Sequence, residues 1–320
     1  MRCLVTGATG IIGSHLVGAL LDRGCDVSAI LRPGGHQWRL GGMVDRIRVV
    51  EGDLARLTDL TPTILEIAPE VVFHLGWEGT AGSRRSDPQL VAGNLHASLQ
   101  LLQVAAQAGC QCWVGLGSQA EYGCRDEVLR EDLPVRPDSP YGVAKLCAGL
   151  AGQELAAALG IRFLWLRVFA VYGPMDAAEH LIPYVITDLL NGQAPSLTPG
   201  EQRWDYLYVS DAVDAICQAA LETEATGIFN LASGCTVTVR RVAEEIRDLI
   251  DPSGRLGFGE RPYPVGQPMR LEADISRLAR ATGWKPRTSL LEGLRRTVEW
   301  HRGIQTPAPF AGPPQESRCQ

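Results

Sequence analysis

Residues 2–24 constrain the fold of this chain more than any other stretch. Arg2–Thr6 holds the apolar run Cys3-Leu4-Val5, which reads as a first strand. Gly7-Ala-Thr-Gly10-Ile-Ile-Gly13 follows at once. Ser14–Arg23 then has helical character, with His15, Leu16, Ala19 and Leu20 spaced for one face and Gly24 as a stop. In such a unit the first glycine permits a tight turn. The second lets the backbone approach a pyrophosphate, and the third allows close helix–strand packing. The anion sits at the helix N-terminus, where free N–H groups and the helix dipole favour it. Gly7, Thr9, Gly10, Ile11, Ile12 and Gly13 are therefore the expected dinucleotide cradle.

Strand-like segments at 26–31, 47–51, 70–75, 112–116 and 161–168 alternate with helical stretches at 57–67, 89–108 and 141–159. The alternation predicts an α/β fold, a Rossmann-type doubly wound parallel sheet with ligands at the carboxyl ends of its strands. After Tyr172-Gly-Pro174 the pattern loosens, and 191–200 and 251–268 read as loops. The expected division is a dinucleotide-binding domain over 1–174, rejoined by 205–233. A smaller interleaved α/β substrate lobe takes 175–204 and 234–303. Residues 304–320 have little to bury and read as a mobile tail.

The 320 residues carry a net charge of −6 and no basic stripe, which argues against a nucleic-acid partner. No apolar run has the length of a membrane span. The chain enters its first strand directly, so no signal peptide is expected. Nine cysteines (Cys3, Cys25, Cys110, Cys112, Cys124, Cys147, Cys217, Cys235 and Cys319) lack framework spacing. They read as free thiols in a reducing cytoplasm. Cys110-x-Cys112 has no second pair and the six histidines form no cluster, so no metal site is expected.

Ser139-Pro-Tyr141-Gly-Val-Ala-Lys145 sets a phenol and an amine on one helix face, with Ser139 as cap and Pro140 in the first turn. An adjacent ammonium is expected to lower the tyrosine pKa towards working pH, as carbonyl–alcohol redox chemistry requires. The second strand ends in Arg32, where NAD enzymes usually carry an acid. Arginine accommodates the 2′-phosphate of NADP(H), and Arg39 lies close behind as a second contact. Asp53 and Leu54, after the third strand, are placed for the adenine. Leu75, Gly76 and Trp77, ending the fourth, are placed for the adenosine side of the cleft.

These residues resemble the extended short-chain dehydrogenases/reductases that act on nucleotide sugars. The resemblance spans about residues 1–302 and rests on motifs in the expected order. They are Thr6-Gly-Ala-Thr-Gly-Ile-Ile-Gly13, Gly117-Ser-Gln-Ala-Glu-Tyr-Gly123, Tyr141-x-x-x-Lys145 and Leu166-Arg-Val-Phe-Ala-Val-Tyr-Gly-Pro174. Arg203-Trp-Asp-Tyr-Leu-Tyr-Val-Ser-Asp211, Phe229-Asn-Leu-Ala-Ser-Gly234 and Gly283-Trp-Lys-Pro286 complete the set. The resemblance implies Tyr141 as acid/base, Lys145 on the nicotinamide ribose, and Ser118 with Gln119 at the reacting sugar. It implies Phe169 and Val171 on the cofactor side, Asn94 as a structural asparagine, and His180 and Leu181 under the nucleotide base. Arg203 and Arg270 would grip the diphosphate, which a guanidinium meets bidentately. A homodimer through the helices near 89–108 and 141–159 is also implied.

Two departures discriminate among activities. The 4,6-dehydratases of the family follow the serine or threonine with Asp-Glu, and here Gln119 and Ala120 stand instead. Ala170 replaces an asparagine that helps hold the diphosphate. The expected function is NADPH-dependent reduction of a nucleotide-linked 4-keto-6-deoxyhexose. The alternatives are a C4 epimerase with tightly held NAD and a non-catalytic NADP-binding regulator.

Overall fold

The computed structural model describes residues 1–80 and 82–305. Seven parallel strands form the main sheet, in the spatial order Gly227–Leu231, Arg162–Val168, Cys112–Ser118, Val71–His74, Arg2–Thr6, Asp26–Leu31, Arg48–Glu51. The first three strands step outward one way. The fourth returns to the other side of the first, so the order reverses between Arg2–Thr6 and Val71–His74. A crevice for ligands opens at such a reversal, beyond the strand ends.

Both faces of this sheet are covered, so its central strands are apolar almost throughout. Val71–His74 and Cys112–Ser118 are buried along their whole length. Side chains alternate between two cores. Cys3 and Val5 enter one with Leu16 and Leu20 of the helix Ile11–Asp22 and Ile216 of the helix Val209–Cys217. Leu4 enters the other with Ile64, Leu101 and Ala148, from the helices Leu57–Ile67, Pro88–Gln107 and Pro140–Leu159. Each fully buried Leu or Ile contributes about 1.5–3 kcal/mol over its exposed state. The first helix starts at Ile11, earlier than predicted, because the β-branched pair Ile11-Ile12 disguises it in sequence.

The smaller sheet is assembled from dispersed short strands. Thr236–Thr238, Arg203–Tyr208, Arg270–Ala273 and Val128–Leu129 lie in that order, and Ala170–Tyr172 pairs with the far end of Arg203–Tyr208. The helices Leu181–Leu190, Val239–Ile250 and Leu290–Gln305 pack around Ile186, Tyr206, Ile246 and Leu294. The predicted boundaries need correction here. Val128–Leu129, Ala170–Tyr172 and residues 205–208 were expected in the dinucleotide-binding domain, yet all pair in the small sheet. They are too short, or too polar on one face, to serve as buried central strands. The return to the main sheet starts with Val209–Cys217 and includes Gly227–Leu231, and Leu278 and Trp284, expected in the substrate lobe, are buried in that core as well. Of the expected tail, 304 and 305 continue the last helix, and 306–320 lie outside the described residues. Among the described residues no helix is long and apolar enough to cross a membrane.

Candidate active site

A cavity of about 550 Å³ lies at the point of strand reversal. Gly7 and Gly10 line it, with Gly13 packed behind Gly7. Gly7 sits at φ +72°, and a Cβ there would lie 2.7 Å from the Gly76 nitrogen. A Cβ on Gly13 would collide with the Gly7 carbonyl oxygen. A Cβ on Gly10 would meet only the Gly7 oxygen, at 3.4 Å. No side chain caps the following helix at Gly10, so its first N–H groups are available to an anion. A pyrophosphate fits this cradle.

Gly7, Thr9, Gly10, Arg32, Asp53, Leu54, Leu75, Gly76 and Trp77 line the cavity. Ile11, Ile12 and Gly13 stand behind the loop, with Ile12 packed into the core. Phe169 is buried beside Tyr122 and Leu129, and Val171 packs against the main core. Neither lines this cavity, and neither do Tyr141 and Lys145. Asp53 accepts the Ala55 N–H (3.0 Å) and so caps the short turn that follows it. Arg32 is half-exposed at the margin, 3.4 Å from the Glu78 carboxylate, which also holds Arg84 at 2.6 Å. Asn94 accepts the Glu78 N–H and donates to its carbonyl, both at 2.8 Å, and thus clamps the loop. His74 bridges Thr6 (2.9 Å) and Ser98 (2.8 Å). Burial pushes its pKa down to about 3, so the ring stays neutral.

Arg39 does not join Arg32. Its Nε donates to the Met175 carbonyl at 2.7 Å and its Nη1 to the Thr9 carbonyl at 3.2 Å. Both directed bonds draw the guanidinium away from the margin where a 2′-phosphate would sit.

Trp77 separates the cavity from the catalytic candidates. It lines the cavity, meets the Tyr141 ring edge-on at 6.3 Å, and has the Lys145 ammonium 3.7 Å from its ring centre. Ser139 caps the Pro140–Leu159 helix by accepting the Gly142 N–H (3.2 Å), with Pro140 in the first turn. Lys145 points across to the strand Cys112–Ser118, donating to the Leu116 carbonyl at 2.7 Å. Burial pulls its pKa down to about 7. Burial raises the Tyr141 phenol pKa, opposed by the Ser118 side chain, which acts to lower it, and by the Arg85 guanidinium 4.2 Å above its ring. The expected lowering by Lys145 is thus overturned for the free protein. Burial dominates, and the ammonium is turned to Leu116.

Behind Ser118 lies a buried charge pair. The Ser118 hydroxyl accepts the Ala120 N–H (3.2 Å), and Glu121 Oε1 accepts the Ser118 N–H (2.9 Å). Oε1 also accepts Trp165 Nε1 (2.9 Å), while Oε2 takes Arg167 Nε (2.8 Å). Sequence reasoning missed this role of Glu121. The signal was there: Ser118-Gln-Ala-Glu121 is a capping-box pattern. Nothing in the sequence marks Arg85 or Glu78.

The sugar-side candidates lie on the smaller lobe. His180 precedes the helix Leu181–Leu190 and bonds buried Asp176 at 2.8 Å, which raises the histidine pKa. Arg203 and Arg270 are register partners on adjacent parallel strands. Arg203 donates to Thr236, and Arg270 pairs with Glu272 at 2.8 Å.

Comparison with known proteins agrees with this geometry. The chain is 30% identical over 337 residues to a UDP-glucose 4-epimerase of Azospirillum brasilense, covering 98% of this chain and 95% of the relative. The UDP-glucose 4-epimerase of Thermotoga maritima, solved with UDP-glucose, superposes with a TM-score of 0.86 at 26% identity, over 95% of this chain and 100% of that one. The UDP-glucose 4-epimerase of Thermus thermophilus, solved with NAD, gives 0.84 at 27% identity, over 95% and 99%. Residues 3–232 match the model of the NAD dependent epimerase/dehydratase family. With its glycine cradle at the strand reversal and Ser118, Tyr141 and Lys145 beside it, the chain belongs to that family.

Proposed function

We propose that this protein reduces C4 of a nucleotide-linked 4-keto-6-deoxyhexose with NADPH. One observation carries the reading: Glu121, the only carboxylate in the turn after Ser118, faces inward onto Trp165 and Arg167. It is not available to replace the acid and base missing at Gln119 and Ala120. Water elimination is thereby disfavoured, and plain oxidoreduction at C4 remains.

The chain's own residues have distinct tasks in this reading. The glycine loop takes the pyrophosphate, Asp53 and Leu54 the adenine side, and Lys145 the nicotinamide ribose. Arg32 takes the 2′-phosphate. Its pair with Glu78 competes only weakly, because a half-exposed ion pair contributes only about 0–1 kcal/mol. Arg203 and Arg270 hold the sugar diphosphate, with the base against His180 and Leu181. Ser118 and Gln119 orient the keto oxygen. Reduced nicotinamide, when bound, supplies the hydride to C4. Tyr141 supplies the proton to the resulting alkoxide, and its raised pKa keeps that proton in place at neutral pH. A homodimer through the Pro140–Leu159 helix is in keeping with its exposed Val143, Leu150 and Leu159.

C4 epimerisation is the second reading, favoured by the two epimerase structures above, one of them with NAD. Nicotinamide absorbance decides between them. Stoichiometric NADPH oxidation with a nucleotide-linked 4-keto-6-deoxyhexose supports the reductase. Interconversion of UDP-glucose and UDP-galactose without added cofactor overturns it.

A further inference from the structure

Arg39 joins two segments that are far apart in sequence. On one side is the Thr9 carbonyl, in the glycine loop that lines the cavity. On the other is the Met175 carbonyl, five residues before His180. Met175 is held at φ +64°, one of two described non-glycine residues at positive φ. L-residues rarely adopt such a conformation, and it persists where surrounding contacts impose it. Here the contacts are visible. Arg39 grips the Met175 carbonyl, and the next residue, Asp176, is buried and holds both the Ala177 N–H and His180, each at 2.8 Å. The guanidinium lies 4.5 Å from the Trp38 ring centre, which limits its freedom further. Asp176, Glu179, His15 and His180 are the charged and titratable groups around it.

We propose that Arg39 is a positioning residue that couples the cofactor site to the nucleotide-sugar site. A dinucleotide pyrophosphate on the glycine loop fixes Thr9. Thr9 fixes Arg39, and Arg39 fixes the 175–181 segment in its strained, binding-competent form. The second ligand then meets a segment already ordered, which gives positive cooperativity without a large movement. Reciprocity requires the nucleotide to tighten cofactor binding by the same factor. The inference rests on the functional reading above, because it needs 175–181 to receive the nucleotide.

Two measurements test it. In the first, the Kd for NADPH is measured by calorimetry with and without saturating UDP or dTDP, and the converse titration is run. The wild-type protein is expected to show coupling of fivefold or more, and Arg39→Ala a factor near one. Met175→Gly keeps the accepting carbonyl and relieves only the strain, so it should retain most of the coupling. In the second, amide exchange of 175–181 is followed as NADPH is added. Protection should appear in the wild-type protein and be absent from Arg39→Ala. Arg39→Gln, too short to span both carbonyls, serves if Arg39→Ala does not fold. Binding of both ligands with no coupling in the wild-type protein overturns the inference alone, as does undiminished coupling in Arg39→Ala. Failure of nucleotides and nucleotide sugars to bind at all overturns the functional reading, while NADPH-induced protection of 175–181 still reports on Arg39.

Discussion

Arg203 and Arg270 stand directly beside one another on neighbouring parallel strands, two like charges in register. Such a pairing weakens a sheet. Glu272 relieves Arg270, whereas the Arg203 guanidinium donates to the hydroxyl and carbonyl of Thr236, neither of them charged. A diphosphate would complete the arrangement with charge-assisted bonds.

Each arginine should therefore matter to substrate and not to cofactor. Arg203→Ala and Arg270→Ala should each raise KM for the nucleotide sugar about tenfold to a hundredfold, from about 1.5–3 kcal/mol per lost charged bond. The NADPH Kd should stay within about threefold. Steady-state kinetics and fluorescence titration separate the two.

Arg32→Asp should erase or reverse the preference for NADPH over NADH. Glu78→Gln should strengthen NADPH binding, since it removes the competing carboxylate 3.4 Å away. Equal wild-type affinities for the two cofactors would refute the assignment of Arg32.

Tyr141→Phe should lower turnover by about a hundredfold or more with the fold intact. Ultraviolet titration of phenolate, taken as wild type minus Tyr141→Phe, should place Tyr141 above the ordinary tyrosine value. Removing Arg85, whose charge opposes the burial effect, should move that titration to still higher pH. Reduction needs the protonated form, so wild-type activity should be lost only as pH rises through this raised pKa.

Lys145→Met should stabilise the free protein while weakening cofactor binding. The buried lysine titrates near 7, against 10.5 when solvated. Below about pH 7 the folded state bears the full burial penalty. Between there and pH 10.5 the lysine sheds its proton and the penalty shrinks. The gain should be on the order of 1–3 kcal/mol at pH 6–7 and should close towards pH 10. Urea melts across that range check the sign.

Breaking the Glu121–Arg167 pair should cost about 3–5 kcal/mol, because the survivor is a buried, unpaired charge. Arg167→Met and Glu121→Gln should each show it in denaturant melts. Glu121→Gln should also reduce kcat, since Ser118 loses a charged anchor.

Much of this candidate site is legible in the sequence. Glycine spacing located the cradle, because only glycine tolerates the Gly7–Gly13 approach. Ser118, Tyr141 and Lys145 are fixed by strand-end and helix-face positions, which sequence spacing reports. The destination of a long side chain is set by tertiary neighbours instead. Hence Arg39 reaches Met175 and Arg85 reaches Tyr141 with no local signal. Strands as short as Val128–Leu129 and Ala170–Tyr172 leave no periodicity to read, so these two segments were expected in the dinucleotide-binding domain.

That sheet has a consequence for how the protein comes off the ribosome. Arg270–Ala273 lies between Arg203–Tyr208 and Val128–Leu129, so the latter has no partner until the chain is nearly complete. All seven strands of the main sheet have been made once Leu231 emerges. A nascent chain at that length still lacks Leu278 and Trp284, which are buried in the main core, and the two strands that flank Arg203–Tyr208. Proteolysis or premature termination there would leave that core open. It would also bare the flank of Arg203–Tyr208, an open strand edge of the kind that recruits other chains.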